Sequence, residues 1–213
     1  STIYDEVRGV AMSSNVFDSA FTPASNGVWG SGGDYSSRVN NKITYALPKL
    51  GGVYGGLEYA LDEDATVDAN MLGAKIGYKA GPLDVALGLQ QEKGKDNDYM
   101  LIAAAYDLGA VSLSGGYNTR RGNDEKGDDN ELTVGLNVPM GNVNLSFGFA
   151  TSKTEIGGST AAKSSGFGVG ATYALSKRTS LYGAYLDGDV KNPSTGATTT
   201  DRKLYSVGVV HNF

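Results

Sequence analysis

Nucleophilic and metal-binding chemistry needs side chains that this sequence scarcely has. There is no cysteine, and His211 is the single histidine. That excludes thiol nucleophiles, cysteine metal sites and multi-histidine clusters. His211 stands two residues before Phe213 on the apolar side of the last alternating segment, and it reads as an interfacial side chain of that strand. The acidic run Asn123–Asn130 offers carboxylates to a Ca²⁺ ion but lacks the EF-hand spacing, with no glycine at position six followed by the required glutamate. It reads as a solvated loop. Gly166, Gly168 and Gly170 mimic a phosphate-binding loop only superficially. No lysine and no helix follow them, and their period of two puts all three on one face of a strand.

Composition points away from an ordinary packed core. Among 213 residues there are 31 glycines against 5 prolines, with 13 tyrosines and one tryptophan. That glycine share is about twice the usual one. Glycine costs backbone entropy in regular structure and gives nothing to pack. The formal net charge of −5 and pI near 4.9, with basic residues scattered, argue against nucleic acid as a partner. No apolar run approaches the 18 residues of a transmembrane helix, Tyr99–Tyr106 being the longest. An α-helical membrane protein is excluded.

From about residue 38 onward the pattern has period two. Leu132, Val134, Leu136 and Val138 share one side, with Glu131, Thr133, Gly135 and Asn137 on the other. Val143, Leu145, Phe147 and Phe149 oppose Asn144, Ser146 and Gly148, and Leu72, Ala74, Ile76 and Tyr78 oppose Gly73, Lys75 and Gly77. Successive strand residues point to opposite faces, so each segment has one apolar and one polar or empty side. Eleven strands are expected, near 38–47, 51–61, 69–79, 82–92, 97–107, 109–120, 130–138, 141–153, 163–175, 178–188 and 201–213. Short joints such as 80–81 and 139–140 alternate with longer polar ones, including 62–68, 121–129, 154–162 and 189–200. That rhythm, and strands of about 9 to 13 residues, suit a membrane-spanning β-barrel. A small soluble barrel fills its interior with apolar side chains. Here the non-apolar faces carry Lys75, Lys79, Asp84, Glu92, Arg120, Glu131 and many glycines, which suits a wide barrel with a wet lumen. Glycines such as Gly73, Gly77, Gly88, Gly135 and Gly148 would then border water and need no packing partner. Tyr45, Tyr59, Tyr78, Tyr99, Tyr117, Tyr173 and Tyr205, near strand ends, are expected to form interfacial girdles. Residues 1–37 break the pattern, with Asp5, Glu6, Asp18 and Asp34 among the breakers Asn15, Pro23, Asn26 and Gly30 to Gly33, and read as one long structured loop.

The segments YALSKRTSLYGAY (Tyr173–Tyr185), YSVGVVHNF (Tyr205–Phe213) and Ser37–Leu61 resemble the general trimeric porins of β-proteobacteria. That resemblance implies an all-β fold, a transmembrane antiparallel up-and-down β-barrel of sixteen strands around a water-filled pore, narrowed by a third extracellular loop folded into the lumen. RVNNKITY, from Arg38 to Tyr45, resembles the family's sixth strand. By that register residues 1–37 correspond to the constriction loop and 38–213 to strands six to sixteen, so about eleven of sixteen strands are present and the first five are missing. An odd count departs from bacterial single-chain barrels. A second reading closes a smaller, self-contained barrel by recruiting Thr2–Val10 as a twelfth strand, although that segment shows no apolar face at strand spacing.

The resemblance also implies roles. Asp5, Glu6 and Arg8 fall in the loop that would line the constriction, facing Arg38, Lys42 and Lys75 on the pore wall. Lumenal charge sets ion preference, and the wall lysines and arginine imply a weak anion preference. Ser206, Gly208 and Phe213 match an outer-membrane assembly signal, with His211 at a position usually hydrophobic. The expected protein is a homotrimer in the outer membrane of a Gram-negative bacterium, in contact with outer-membrane lipid and lipopolysaccharide. It would pass small hydrophilic solutes and ions by passive diffusion, without cofactor or reaction. The alternatives are a specific channel in a smaller barrel, or an adhesin acting through its long loops.

Overall fold

Alternating β-branched, aromatic and small residues leave the backbone little choice but pleated strands. The computed structural model describes residues 1–14, 35–62, 69–122 and 127–213. It contains β1 (Lys42–Ala46), β2 (Val53–Ala60), β3 (Met71–Ala80), β4 (Leu83–Glu92), β5 (Asn97–Asp107), β6 (Ser112–Gly122), β7 (Asp128–Met140), β8 (Val143–Ile156), β9 (Ser159–Ala174), β10 (Thr179–Lys191) and β11 (Thr198–His211). They form one eleven-stranded antiparallel sheet in which every strand pairs with its neighbours in sequence. All eleven expected strands are present. Asp18, Asp34, the breakers between them, Asp64 and residues 123–126 lie outside the described residues.

Several boundaries differ from expectation, among them the joint 189–200, where β10 runs on to Lys191 and β11 starts at Thr198. Residues 154–162, read as a long loop, are a hairpin in which Ile156 pairs with Ser159 across Gly157 and Gly158. Both glycines have positive φ, +57° and +77°. That conformation matches the primed hairpin turns whose twist suits the flanking strands. Polar residues occupy both faces there, so hydrophobic alternation stops before the ladder does. At the other end of the sheet, β1 begins at Lys42, after Asn41 adopts φ +47°, and Arg38 precedes the strand.

The distribution of polarity is inverted relative to a soluble protein. Large apolar side chains are exposed along the outer face, such as Ile102 at 53%, Phe167 at 48% and Val207 at 86%. Charged and amide groups are buried on the inner face, including Arg120 at 2% and Glu131 at 1%. Such an outer face suits hydrocarbon, which solvates Leu, Val and Phe at no cost. Of the expected girdle tyrosines, Tyr45, Tyr59, Tyr78, Tyr117, Tyr173 and Tyr205 are exposed. Tyr99 is the correction: it sits opposite Gln90 and Arg120 on the inner face and is buried.

The largest departure is at the start of the chain. Thr2–Val10 forms no twelfth strand, because α1 spans Ile3–Ala11. At helical spacing the segment does have an apolar face, with Ile3, Tyr4, Val7 and Ala11 buried together. The Thr2 hydroxyl caps the helix by accepting from the Asp5 N–H at 3.3 Å. Asp5 and Glu6 occupy the first turn and Arg8 the last, the placement that the helix dipole favours.

α1 lies on the inner face of β3 to β6, and glycines make its seat. A Cβ on Gly73 would stand 3.1 Å from Ile3, one on Gly88 3.2 Å from Val7, and one on Gly116 2.7 Å from Ala11. Gly73 and Gly88 therefore do not simply face water, and a Cβ on Gly77 would strike the Tyr54 ring. They are empty because a helix or a ring needs the space.

Two outcomes follow from this architecture. Ile102→Arg places a charge on the outer face midway along β5. It should cost about 2–4 kcal/mol in equilibrium unfolding from lipid bilayers, whereas the same loss at a site outside the apolar band would contradict the assignment of this face. Gly88→Leu overpacks the helix seat, at a cost of about 1–3 kcal/mol. Amide exchange of residues 3–11 should accelerate while β8–β10 stay protected, and unchanged protection of α1 would refute the seat.

Candidate pore-lining site

The inner face and α1 together bring ionisable groups into one region. Antiparallel register places Glu58, Gly73, Gln90, Tyr99, Arg120 and Asp129 in one inward row, and Lys75, Gly88, Leu101, Asn118 and Glu131 in the next. Above the second row lies α1. Its Tyr4 hydroxyl donates to Asn118 Oδ1, and Asn118 Nδ2 donates to Glu131 Oε2 at 2.7 Å. The Tyr4 ring stands edge-on to Tyr35 at 5.0 Å and to Tyr99 at 6.0 Å. Burial above all, with Glu131 nearby, pushes the Tyr4 hydroxyl well above the ordinary phenol range. Burial does the same for Tyr35, and its bond to Asp5 adds to this against the pull of Arg8. Both stay neutral and remain donors.

The neck of the loop is tied down as well. The Thr2 N–H donates to the Ser37 carbonyl at 2.8 Å. Glu92 is buried and accepts from the Ser36 N–H at 2.5 Å, from Gln90 Nε2 at 2.7 Å, and pairs with Lys95 Nζ at 2.9 Å. A carboxylate with this many donors fixes residues 35–37 to β4.

Each expected site residue has a definite place. Glu6, on the exposed side of α1, forms an ion pair with Lys75 on β3. Asp5 accepts the Tyr35 hydroxyl at 2.7 Å. Lys42 pairs with Glu58 Oε2 at 2.7 Å and also donates to the Ser1 carbonyl. Arg8 is half-buried and Arg38 is exposed, and neither forms an ion pair with a described residue. Loop and wall charges are thus brought together at Glu6–Lys75, while Arg38 stands apart from them, before β1. Ser206 and Gly208 lie on the inward side of β11, and Gly208 faces the Tyr182 ring. The Phe213 ring is fully exposed, 4.9 Å from that of His211. His211 Nδ1 contacts Thr179 Oγ1 at 2.9 Å.

Other inward charges complete the set. Lys79 pairs with Asp84 at 3.0 Å, and Asp84 also accepts the Tyr54 hydroxyl at 2.7 Å. Arg120 Nε donates to Asp129 Oδ2 at 2.7 Å. The alternation already placed Lys79, Asp84, Glu92, Arg120 and Glu131 on the polar side. Glu58 and Asp129 gave no separate signal, because their role depends on partners from another strand. Asp129 is taken up by Arg120 and its neighbour Asp128 points to the other face, so these two carboxylates do not converge. Among the described residues no cluster of three or more potential metal ligands occurs.

Two cavities flank the exposed side of α1. One of about 780 Å³ is lined by Glu6, Ser13, Lys79, Asp84, Asp107 and Ser112 among others. The second, about 400 Å³, lies against Glu6, Tyr54, Lys75, Lys79 and Asp84. Glu6, Lys79 and Asp84 border both. Open space lined by paired charges, behind an apolar outer surface, can admit or screen small polar solutes. It offers no nucleophile–histidine arrangement, the one histidine being on β11.

Comparison with known proteins agrees with this geometry. The sequence profile of the Gram-negative porins matches residues 1–193. Outer membrane porin protein 32 of Delftia acidovorans is 31% identical over 167 residues, which are 70% of this chain and 46% of that protein. The chain therefore spans about half the length of the curated relative it matches. OmpT of Vibrio cholerae superposes with a TM-score of 0.65 at 16% identity, over 80% of this chain and 64% of that one. A triple mutant of the Rhodopseudomonas blastica porin gives 0.59 at 21% identity, over 81% and 55%. With eleven antiparallel strands in unbroken order, an apolar exterior and a charged interior, the chain belongs to the Gram-negative porin family and is an outer-membrane protein.

Proposed function

We propose that this chain forms most of the wall and the constriction of a passive diffusion channel for small hydrophilic solutes and ions. The observation that carries the proposal is the ion pair from Glu6 on α1 to Lys75 on the wall, with cavities on either side of the helix. In this reading residues 1–37 narrow the pore, and α1 is the part of that loop held against the wall. Strands β1 and β11 are the edges of the sheet. An open edge in lipid leaves backbone groups unsatisfied, so further strands are proposed to pair with both edges and close the barrel. A homotrimer is the proposed assembly.

A weak anion preference is part of the proposal, but the residues that carry it differ from those expected from sequence. Lys42 and Lys75 are each neutralised by a carboxylate. Arg8 and Arg38 have no such partner among the described residues, so their positive charge is the part left to act on passing ions. Selectivity should be weak because most other inward charges are paired.

Planar-bilayer recordings test both parts. Reversal potentials across a salt gradient should show a small preference for chloride over potassium. One unit charge about 7 Å from the ion path in water changes an ion's local concentration roughly threefold. Glu6→Gln, which removes a negative charge and frees Lys75, raises local anions and lowers local cations each by about that factor, so the anion-to-cation ratio should rise roughly sevenfold. The pair Arg8→Gln and Arg38→Gln should reverse the preference. Cation preference in the parent protein would sink the selectivity proposal, and absence of any conductance would sink the channel itself.

Deletion of Phe213 tests the assembly signal separately. The yield of folded protein in the outer membrane should fall severalfold, and an unchanged yield would remove that role.

A further inference from the structure

The inner wall has two halves of different chemistry. The paired charges described above stand on β1 to β7. From Thr133 on β7 to Val210 on β11, the inward positions carry one charge among the described residues, Arg202. Nearest the short connections 141–142 and 175–178, this second half is polar without charge. One row there runs Asn137, Ser146, Gly170, Ala184 and Ser206, and the next runs Pro139, Asn144, Thr172, Tyr182 and Gly208. Gly208 is six residues from Arg202, about 20 Å along the strand. At physiological salt that is more than twice the screening length of about 8 Å.

Hydrogen bonds within the two rows set the direction of their amides. Asn137 Oδ1 accepts from Asn144 Nδ2 at 2.7 Å and from Ser146 Oγ at 2.9 Å. Asn137 Nδ2 is left as a donor and Asn144 Oδ1 as an acceptor, neither bonded to a described residue. Both side chains are half-buried. Tyr182 lies two strands from Asn144, about 10 Å across the sheet. Its ring rests on the backbone of Gly208, where a Cβ would stand 2.5 Å from the hydroxyl oxygen. The ring is half-exposed, so its other face meets the lumen. Thr172, exposed on β9, stands between the amide pair and the ring.

A solute suited to this wall has a flat apolar side and neighbouring hydroxyls. A vicinal diol supplies one oxygen to accept from Asn137 and one O–H to donate to Asn144. The C–H face of a sugar ring matches the face of Tyr182, an amphipathic platform. A salt ion can use neither contact. We propose that the inner wall of β7–β11 near the short connections is a weak binding site for neutral polyhydroxylated solutes, with a sugar ring against Tyr182 and its hydroxyls on Asn137 and Asn144. The proposal deepens the channel reading and rests on it, since it names a solute class for which the wall has contacts. Binding must be weak, because a solute held tightly would not leave the pore.

Glucose is the probe, titrated into folded protein in a sugar-free detergent and followed by saturation-transfer NMR. The parent should bind it with a Kd above about 1 mM. Asn137→Leu with Asn144→Leu removes two neutral hydrogen bonds and should weaken binding about tenfold. Tyr182→Leu should weaken it severalfold, whereas Tyr182→Phe, which keeps the ring, should stay within about twofold of the parent. Heat-modifiable electrophoretic mobility, unchanged in each variant, is the evidence of folding. Triethylene glycol, of similar size with hydroxyls only at its ends, should bind the parent at least about tenfold more weakly than glucose. No binding of glucose to the parent, undiminished binding by the double variant, or equal binding of triethylene glycol would each overturn the site. Equal losses in Tyr182→Leu and Tyr182→Phe would overturn the ring contact. Binding is read here without current, so the two readings fail separately. A protein that conducts salt but binds no glucose loses the sugar site alone, and one that binds glucose but never conducts loses the channel.

Discussion

Backbone satisfaction in a medium without water is the constraint on which the rest of this molecule depends. In hydrocarbon each unpaired N–H or C=O costs several kcal/mol, and a continuous antiparallel ladder is the arrangement that pairs them strand by strand. Eleven strands in sequential order meet that demand with short connections and no crossovers. With the backbone satisfied, the two faces can take opposite chemistry. The outer face carries Leu, Val, Ile and Phe, which lipid accepts, and the inner face carries the charges and amides that lipid would reject.

The interior has a core of its own kind. α1 fills part of it, resting on positions where β3, β4 and β6 present glycine. A helix some 10 Å across cannot approach a sheet that carries large side chains at the contact without a wider gap. Removing the side chains lets the backbone surfaces come close enough for Ile3, Val7 and Ala11 to be buried. Around this apolar contact the polar groups pair with each other. Tyr4 reaches Asn118 and, through it, Glu131, Tyr35 reaches Asp5, and Glu6 reaches Lys75. Position and charge are thereby coupled: the helix that narrows the space also brings the carboxylate that neutralises the wall lysine.

That coupling explains why counting charges on the polar strand faces misjudges the lumen. A lysine that faces a cavity acts on passing ions only with the part of its charge that no neighbour cancels. Lys42 and Lys75 have their partners within the fold, Glu58 from the next strand and Glu6 from the helix. Arg8 and Arg38 drew attention for their place in the sequence, and in the proposed channel they matter for a different reason, the absence of an ion pair to a described residue.

The eleven strands, their order and the inversion of polarity were legible in the sequence because strand periodicity is local: each residue's face follows from its neighbours two positions away. The same locality explains where it ran out. Past Ser152 and before Ser164 polar residues interrupt both faces of the hairpin, so the ladder to Gly157 and Gly158 left no hydrophobic alternation. Ile3, Tyr4, Val7 and Ala11 were hidden because only helical spacing joins them, and a segment read for alternation shows nothing. Tyr99 alternates like its neighbours, yet it belongs inside because Tyr4 and Tyr35 come to meet it. What the sequence determined on its own was the class of surface each strand presents, since that depends on a short stretch of chain. What only the tertiary structure decided was which glycines are seats and which lysines are neutralised, because both depend on groups that come close in space from tens of residues away.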